Sequence, residues 1–157
     1  MTTINPNSLQ SYIRTTEDAT NFLSILGTLS NEVFKKNTTL DEILEHEVSY
    51  QRGLTIKKIA ADHNVDLQSR TEIPMFITKL TDTINTLPTV HLTLAFAPRR
   101  QLITVVSQWF IVNFQQVVLL DIKVDPSIMG GSIVEFNGKR QDYSLKKQAE
   151  QTLNEKN

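Results

Sequence analysis

The sequence predicts an α+β protein, with an N-terminal antiparallel helical bundle over residues 1–88 and a small α+β domain over residues 89–157. Up to about Pro88, apolar residues recur at three- and four-residue steps, which is typical of amphipathic helices. From His91 onward, apolar and polar residues alternate along short segments that are separated by turn residues, which is typical of strands. The change of period places the joint between the two domains near residues 87–89.

Four helices are predicted before Pro88. The first begins after Thr15 and Thr16, whose hydroxyls can cap free amides, and ends near Lys36. The second begins at Thr39 and ends at Gly53. The third and fourth cover residues 54–64 and 72–87. Each helix is predicted to bury one apolar side. These sides are formed in the first helix by Ala19, Phe22, Leu23, Leu26, Leu29, Val33 and Phe34, and in the second helix by Leu40, Ile43, Leu44 and Val48. They are formed in the third helix by Ile56, Ile59 and Ala60, and in the fourth helix by Ile73, Phe76, Ile77, Leu80 and Ile84.

The C-terminal domain is predicted to run strand, helix, strand, strand, strand, helix. The first strand buries Leu92, Leu94 and Phe96, and a helix follows from Pro98 to Phe114. The second strand covers residues 117–124, and residues 132–136 and 139–143 form a hairpin. The turn residues are predicted to be structural: Asp125, Pro126, Gly130 and Gly131 in the long turn, Asn137 and Gly138 in a type I′ hairpin turn, and Ser144 as the cap of the last helix.

The composition excludes several classes of protein. The 157 residues include 16 Lys and Arg against 17 Asp and Glu, so no overall basic field attracts nucleic acid or anionic lipid. The absence of cysteine excludes disulfides, cysteine-ligated metals and thiol nucleophiles. Residues 1–10 lack the pattern of a secretory signal, so we expect a cytoplasmic protein. Residues 101–120 carry no charge but too many amides and hydroxyls for a membrane span, so we expect no membrane insertion.

Catalytic and metal-binding patterns are missing from the sequence. His46, His63 and His91 fall in three separate elements, without the spacing of a metal site, and each is expected at the surface or its boundary. Gly130 and Gly131 are followed by a predicted strand, where a phosphate loop would need a basic residue and a helix start. The sequence therefore favours a non-catalytic protein without cofactor or metal, and a small enzyme is the minority alternative.

Residues 54–73 offer an alternative function, that of a small helix-turn-helix regulator that binds DNA. Residues 55–66 resemble the first helix and turn of such a motif, with small Ala60 at the helix crossing and Asn64 at the turn. The next segment contains only Gln68 and Arg70 as strong base readers, and Pro74 interrupts it. An ordinary amphipathic helix explains the same residues, and we expect no nucleic-acid partner.

The helix after Pro98 carries a wide apolar surface. At about 100° per residue, its apolar side chains cover an arc of about 200°, which is wider than one sheet can bury. Either the N-terminal helices cover the remainder, or a protein partner does, with Trp109 as its natural anchor. The side chains on this arc are Leu102, Ile103, Val105, Val106, Trp109, Phe110, Val112 and Phe114.

Residues 117–134, with the sequence VVLLDIKVDPSIMGGSIV, and the later Asp142-Tyr143-Ser144 resemble the C-terminal signature of the delta subunit of rotary ATP synthases, whose mitochondrial form is the oligomycin-sensitivity-conferring protein (OSCP). The resemblance implies a non-catalytic stator subunit, peripheral on the cytoplasmic face of the cell membrane. It implies that the helical bundle binds alpha subunits of the catalytic head and that the C-terminal domain binds the membrane-anchored b-type stalk. The candidate partner-binding residues are Trp109, Phe110, Leu145, Ala149 and Leu153.

Overall fold

The computed structural model describes residues 4–35, 43–44, 50–69 and 71–154. The chain forms two compact units. The N-terminal unit contains the residues through Ile13 and Asp18–Leu87, and the C-terminal unit contains Arg14–Glu17 and the residues from Pro88 onward. The described residues form helices and one four-stranded mixed sheet, which confirms the α+β class. The bundle arrangement and the domain boundary at residue 88 stay predictions.

The N-terminal unit is helical throughout its described part. Helix α1 spans Pro6–Leu9, α2 spans Thr16–Lys35, α3 spans Tyr50–Asp62 and α4 spans Glu72–Asn85. Apolar residues at helical spacing form its core because each helix turns one stripe inward. The buried side chains are Ile4, Leu9, Ile13, Ala19, Phe22, Leu26, Leu29, Ile43, Leu44, Ile56, Ile59, Ala60, Ile73, Phe76, Ile77, Leu80 and Ile84.

Helix α1 and the histidine that ties it down were not predicted. The side chain of Asn5 caps α1 by accepting a hydrogen bond from the Asn7 N–H, and α1 packs against α3. His63 is buried, so the expectation that it lies at the surface is wrong. Its Nε2 accepts the Asn5 N–H at 3.0 Å, and its Nδ1 lies 2.8 Å from the carbonyl oxygen of Ile59. A main-chain N–H can only donate, so Nδ1 carries the proton and donates to Ile59.

The prediction that Gly53 ends a helix is wrong, because Gly53 lies inside α3. A β-carbon at this position would make only ordinary van der Waals contact with the carbonyl oxygen of Leu44, at 3.5 Å, so the space around Gly53 does not require glycine. Packing of Ile56 and Ile59 on the core outweighs the low helix propensity of glycine. Of the helix predicted to precede Gly53, Ile43 and Leu44 are helical and buried as expected, and most of the remainder lies outside the described residues.

The C-terminal unit has the predicted order of elements. These are β1 (Thr89–Leu94), α5 (Arg100–Phe114), β2 (Leu119–Val124), a 3₁₀ turn (Pro126–Ile128), β3 (Ser132–Phe136), β4 (Lys139–Asp142) and α6 (Leu145–Asn154). The sheet order is β2-β1-β3-β4, with β1 parallel to β2 and antiparallel to β3, and β3 antiparallel to β4. Phe96 lies beyond β1 and is exposed, so the prediction that this strand buries it is wrong.

The two faces of this sheet differ in polarity. Phe110 of α5 packs with buried Val90, Val118 and Leu120 to form the core of one face. On the other face, one register line crosses all four strands through Asp121, His91, Glu135 and Arg140. Asp121 Oδ2 lies 2.8 Å from His91 Nδ1, and Glu135 Oε1 lies 2.8 Å from Arg140 Nη1. His91 is exposed, as expected.

A segment from near the N-terminus covers part of one sheet edge. Thr15 forms a parallel bridge with Leu120 on the outer side of β2, and the Leu120 N–H donates to the carbonyl oxygen of Arg14 at 2.8 Å. We call residues Arg14–Glu17 the strap. The chain thus leaves the N-terminal unit after Ile13, contributes the strap to the C-terminal unit, and returns with α2.

Candidate partner-binding surface

Helix α5 exposes a continuous apolar stripe on the side turned away from the sheet. Leu102, Val105, Trp109 and Val112 lie three, four and three positions apart, which places them within an arc of about 80°. The exposed fractions of Val105, Trp109 and Val112 are 60%, 51% and 69%. We call these four residues the α5 seam. Its spacing is that of the contact positions along a helix that packs against another helix.

Trp109 is held in place although half of its surface is open. Its ring lies 5.1 Å from that of Phe110 and 5.5 Å from that of Phe114, both in edge-to-face geometry. Phe110 and Phe114 each contact Phe136 of β3 edge to face. A half-exposed indole that is already ordered loses little conformational entropy when a partner covers it.

Phe110 belongs to the core and not to this surface. Only 4% of its surface is exposed, and it packs against Val90, Val118 and Leu120. Of the two roles that the sequence left open for Phe110, the structure supports the internal one. Trp109, the residue before Phe110 on the helix, faces outward.

Helix α6 carries a second exposed apolar stripe, formed by Leu145, Ala149 and Leu153. All three are exposed, Leu153 to 65%, and no described side chain of α6 is buried. The helix is held at its start, where the Leu145 N–H donates to the carbonyl oxygen of Gly130 at 3.0 Å. The remaining turns present the stripe to solvent.

Two Asp-x-Ser turns fix the segments on either side of the hairpin. Asp125 Oδ1 accepts the Ser127 N–H at 3.0 Å, and Asp142 Oδ1 accepts the Ser144 N–H at 2.9 Å. Hydrogen bonds from the side chain and the backbone of each serine lower the pKa of the aspartate before it. Ser144 also caps α6, since its Oγ accepts the Lys147 N–H at 3.2 Å.

The glycines of the long turn allow a close approach of two backbones. Gly131 has φ of +74°, and a β-carbon there would overlap the carbonyl oxygen of Tyr143 and lie 3.3 Å from the Cα of Ser144. At Gly130, with φ of +155°, a β-carbon would lie 2.6 Å from Leu145 Cδ1. Asn137 and Gly138 have φ of +50° and +72°, the positive values that a type I′ turn requires. The long turn therefore positions the first turn of α6.

The segment that resembles a helix-turn-helix lacks the helix spacing of that motif, and its second helix lacks an excess of positive charge. Asn64 has φ of +53° at the end of α3, as at a tight turn. However, nine residues separate α3 from α4, where the motif has a turn of about three to four residues. Glu72 and Asp82 outnumber the one basic residue of α4, Lys79. Helix α4, which would have to read the bases, therefore lacks the excess of positive charge that favours contact with phosphates.

The described helices and side chains show neither a membrane span nor a metal site. No described helix combines the length and the hydropathy needed to cross a bilayer. No three His, Asp or Glu side chains of the described residues lie close enough to hold a metal ion together.

Comparison with protein families identifies the chain. The family model described as ATP synthase delta (OSCP) subunit matches residues 7–155, nearly the whole chain. The chain belongs to the ATP synthase delta (OSCP) subunit family. A search of curated proteins gives no match. The family consists of structural stator subunits, so this OSCP-family protein is a subunit of the ATP synthase peripheral stalk.

The sequence predicts one wide arc for the eight apolar residues of α5. The structure divides this arc into an exposed side and a side that faces the sheet. Leu102, Val105 and Val112 lie on the open side with Trp109, and they were not singled out as partner-binding residues. Their three-four-three spacing was the available signal. It could not be separated from the spacing of Ile103, Val106 and Phe110, which face the sheet.

Proposed function

We propose that this OSCP-family chain is a non-catalytic stator subunit that links alpha subunits of the catalytic head to a b-type stalk on the cytoplasmic face of the membrane. Such a link keeps the head from turning with the rotor, and rotation is thereby coupled to ATP synthesis. The observation that supports the proposal best is the α5 seam, an ordered and uncharged apolar surface. A stator requires binding surfaces of this kind and no catalytic groups.

The α5 seam suits a helical partner. Residues 101–120 contain no charged side chain, so a partner helix would meet apolar contacts flanked by amides and hydroxyls. Partner binding through this surface depends on burial of apolar area and not on ion pairs. We therefore assign the b-type stalk helix to the α5 seam, with Trp109 as the central anchor.

The α6 stripe provides a second contact for the same partner. Its members lie four positions apart on one side of the helix, and all three are exposed. We propose that Leu145, Ala149 and Leu153 bind the stalk, and that the N-terminal unit binds alpha subunits. The assignment of the N-terminal unit rests on the family alone.

Replacement of Trp109 tests the assignment of the seam. We expect Trp109→Ala to weaken binding of the b-type subunit by about 30-fold or more, the effect of losing a central aromatic anchor. The change should lower the free energy of unfolding by about 1–3 kcal/mol, because two ring contacts are lost, and the variant should remain folded because half of the indole is already exposed. Binding is measured with the purified full chain and a soluble fragment of the stalk subunit.

Two variants on the same helix serve as controls. Thr104→Ala changes an exposed residue that lies about 140° from Trp109, and it should bind normally. Phe110→Ala removes a core side chain, and it should lower the free energy of unfolding by about 3–5 kcal/mol. Normal stalk binding by Trp109→Ala at both low and moderate salt would contradict the assignment.

A further inference from the structure

The two edges of the C-terminal sheet are protected against pairing in different ways. Strand β4 is four residues long, and three of them, Lys139, Arg140 and Asp142, are charged. Charged side chains on a short edge strand oppose pairing with another strand. The edge at β2 begins with the uncharged run 117–120, and its charges, Asp121 and Lys123, come only afterwards. The strap lies beside the uncharged half.

The strap satisfies main-chain groups that point away from the sheet. The Leu119 N–H donates to the carbonyl oxygen of Pro88, and the Asp125 N–H donates to that of Leu94, so the odd-numbered amides of this segment point toward β1. Leu120 therefore points outward, where its N–H meets the Arg14 carbonyl oxygen at 2.8 Å. Without the strap, these groups would be available to another strand.

We propose that the strap is an edge guard that occupies the position at which β2 of a second copy of this chain would otherwise pair. Residues 117–124 combine Val, Leu and Ile at most positions with an uncharged first half, which is the composition of a strand prone to pairing. Two copies of such an edge pair about a two-fold axis, each contributing the same surface. The self-complementary surface is the Leu119–Val124 edge.

The attachment of the strap explains how a short segment holds this position. Its N-terminal end continues into Ile13, which is buried in the N-terminal unit, and its C-terminal end continues into α2. Because both ends are anchored, the ordering of the strap costs less entropy than the docking of a free peptide of the same length. The guard is therefore maintained by the fold of the N-terminal unit.

The variant Thr16→Pro removes the main-chain N–H with which the strap pairs with β2, and it changes little else. A parallel bridge between Thr15 and Leu120 uses the carbonyl before Thr15 and the N–H after it, which is that of Thr16. Thr16 is also the first residue of α2, where proline is tolerated. Arg100→Pro is the matched control, because Arg100 is likewise the first residue of a helix, α5. The preceding residue, Arg99, has φ of −75° and ψ of 153°, and these angles are compatible with a following proline.

Two measurements on the full chain test the guard. In Thr16→Pro, we expect hydrogen exchange at the Leu120 amide to accelerate by about tenfold or more. We also expect the mass in solution to rise from 17.9 kDa toward twice that value as the concentration increases. Adding Val124→Lys, a charge at an exposed position of the same edge, should restore the monomer.

Each outcome decides the proposal. Faster exchange at Leu120 with a monomeric Thr16→Pro variant would overturn the self-pairing. Unchanged exchange at Leu120 would overturn the protective role of the strap. Dimerisation of Arg100→Pro to the same extent would show general destabilisation and would also overturn it. A dimer that forms only in Thr16→Pro and disappears with Val124→Lys supports the edge guard.

Discussion

The close approach at Gly131 leads to a prediction about the stability of Gly131→Ala, for which Gly138→Ala serves as the reference variant. Gly131 and Gly138 have nearly equal φ values, +74° and +72°, so alanine meets a comparable cost of positive φ at both positions. Nothing lies within 4 Å of a β-carbon at Gly138, whereas one at Gly131 would overlap the carbonyl oxygen of Tyr143. The difference between the two alanine variants therefore measures the cost of the overlap alone.

The expected magnitudes follow from the contacts. Positive φ costs alanine about 1–2 kcal/mol, and the reduced freedom of the unfolded chain returns about 0.4–1 kcal/mol, so Gly138→Ala should lose about 1 kcal/mol. In Gly131→Ala, residues 143–144 must also move, which weakens the 2.8 Å bond from the Tyr143 N–H to Ser132 and the cap at Ser144. At about 1 kcal/mol for each, the total loss is about 3 kcal/mol.

Tryptophan fluorescence is the suitable assay. Trp109 is the single tryptophan of the chain and lies in the C-terminal unit, so its emission during urea unfolding reports on that unit. We expect the free energies of unfolding of the two variants to differ by about 2 kcal/mol, with a matching difference of about 8–16 °C in the melting temperature of a unit of this size. Equal losses within about 0.5 kcal/mol would refute the argument from close approach.

Three further changes have definite expected signs. Ser107→Ala should raise the melting temperature in a calorimetric scan, because the Ser107 hydroxyl is buried without a hydrogen-bond partner among the described residues. Burial of an unbonded hydroxyl costs about 1–3 kcal/mol of stability. A lower melting temperature would show that the hydroxyl is bonded. The pKa of Asp142 is held below its ordinary value of 3.8, so its contribution to stability is present above about pH 4 and is lost as the pH falls through the folded-state pKa. In Ser144→Ala, which keeps the backbone N–H, an NMR titration should show the pKa of Asp142 raised toward 3.8, and an unchanged midpoint would exclude the Ser144 hydroxyl as a cause. His63→Leu should cost about 1–3 kcal/mol in thermal unfolding followed by circular dichroism, because the Asn5 N–H loses its acceptor; retention of the parent stability would contradict that role.

The elements that could be predicted are those whose pattern is local. Helix α4 was predicted from five apolar residues at helical spacing, and all five are buried. The hairpin was predicted from Asn137 and Gly138, since few other residue pairs adopt two successive positive φ values. In both cases the neighbours in sequence determine the conformation.

The features that could not be predicted depend on contacts distant in sequence. His63 is buried because the Asn5 amide meets it, and nothing near residue 63 indicates that bond. Gly53 is helical because the packing of Ile56 and Ile59 on the core outweighs the usual preference of glycine for helix ends. The strap pairs with a strand about a hundred residues further along the chain, and a short polar segment carries no pattern for such a partner.

The strap also constrains the order in which the chain folds during its synthesis. Arg14 leaves the ribosome long before Leu120, and at about 5–20 residues per second the interval is several seconds. Helices form in microseconds, so the N-terminal helices can be complete before the first sheet residue is made. Pairing of β1 with β2 must then await the crossover helix α5, and only afterwards can the strap close over the edge. Closure of this edge is therefore a late event, and the nascent chain passes through an interval in which the uncharged half of β2 has been made and is not yet covered.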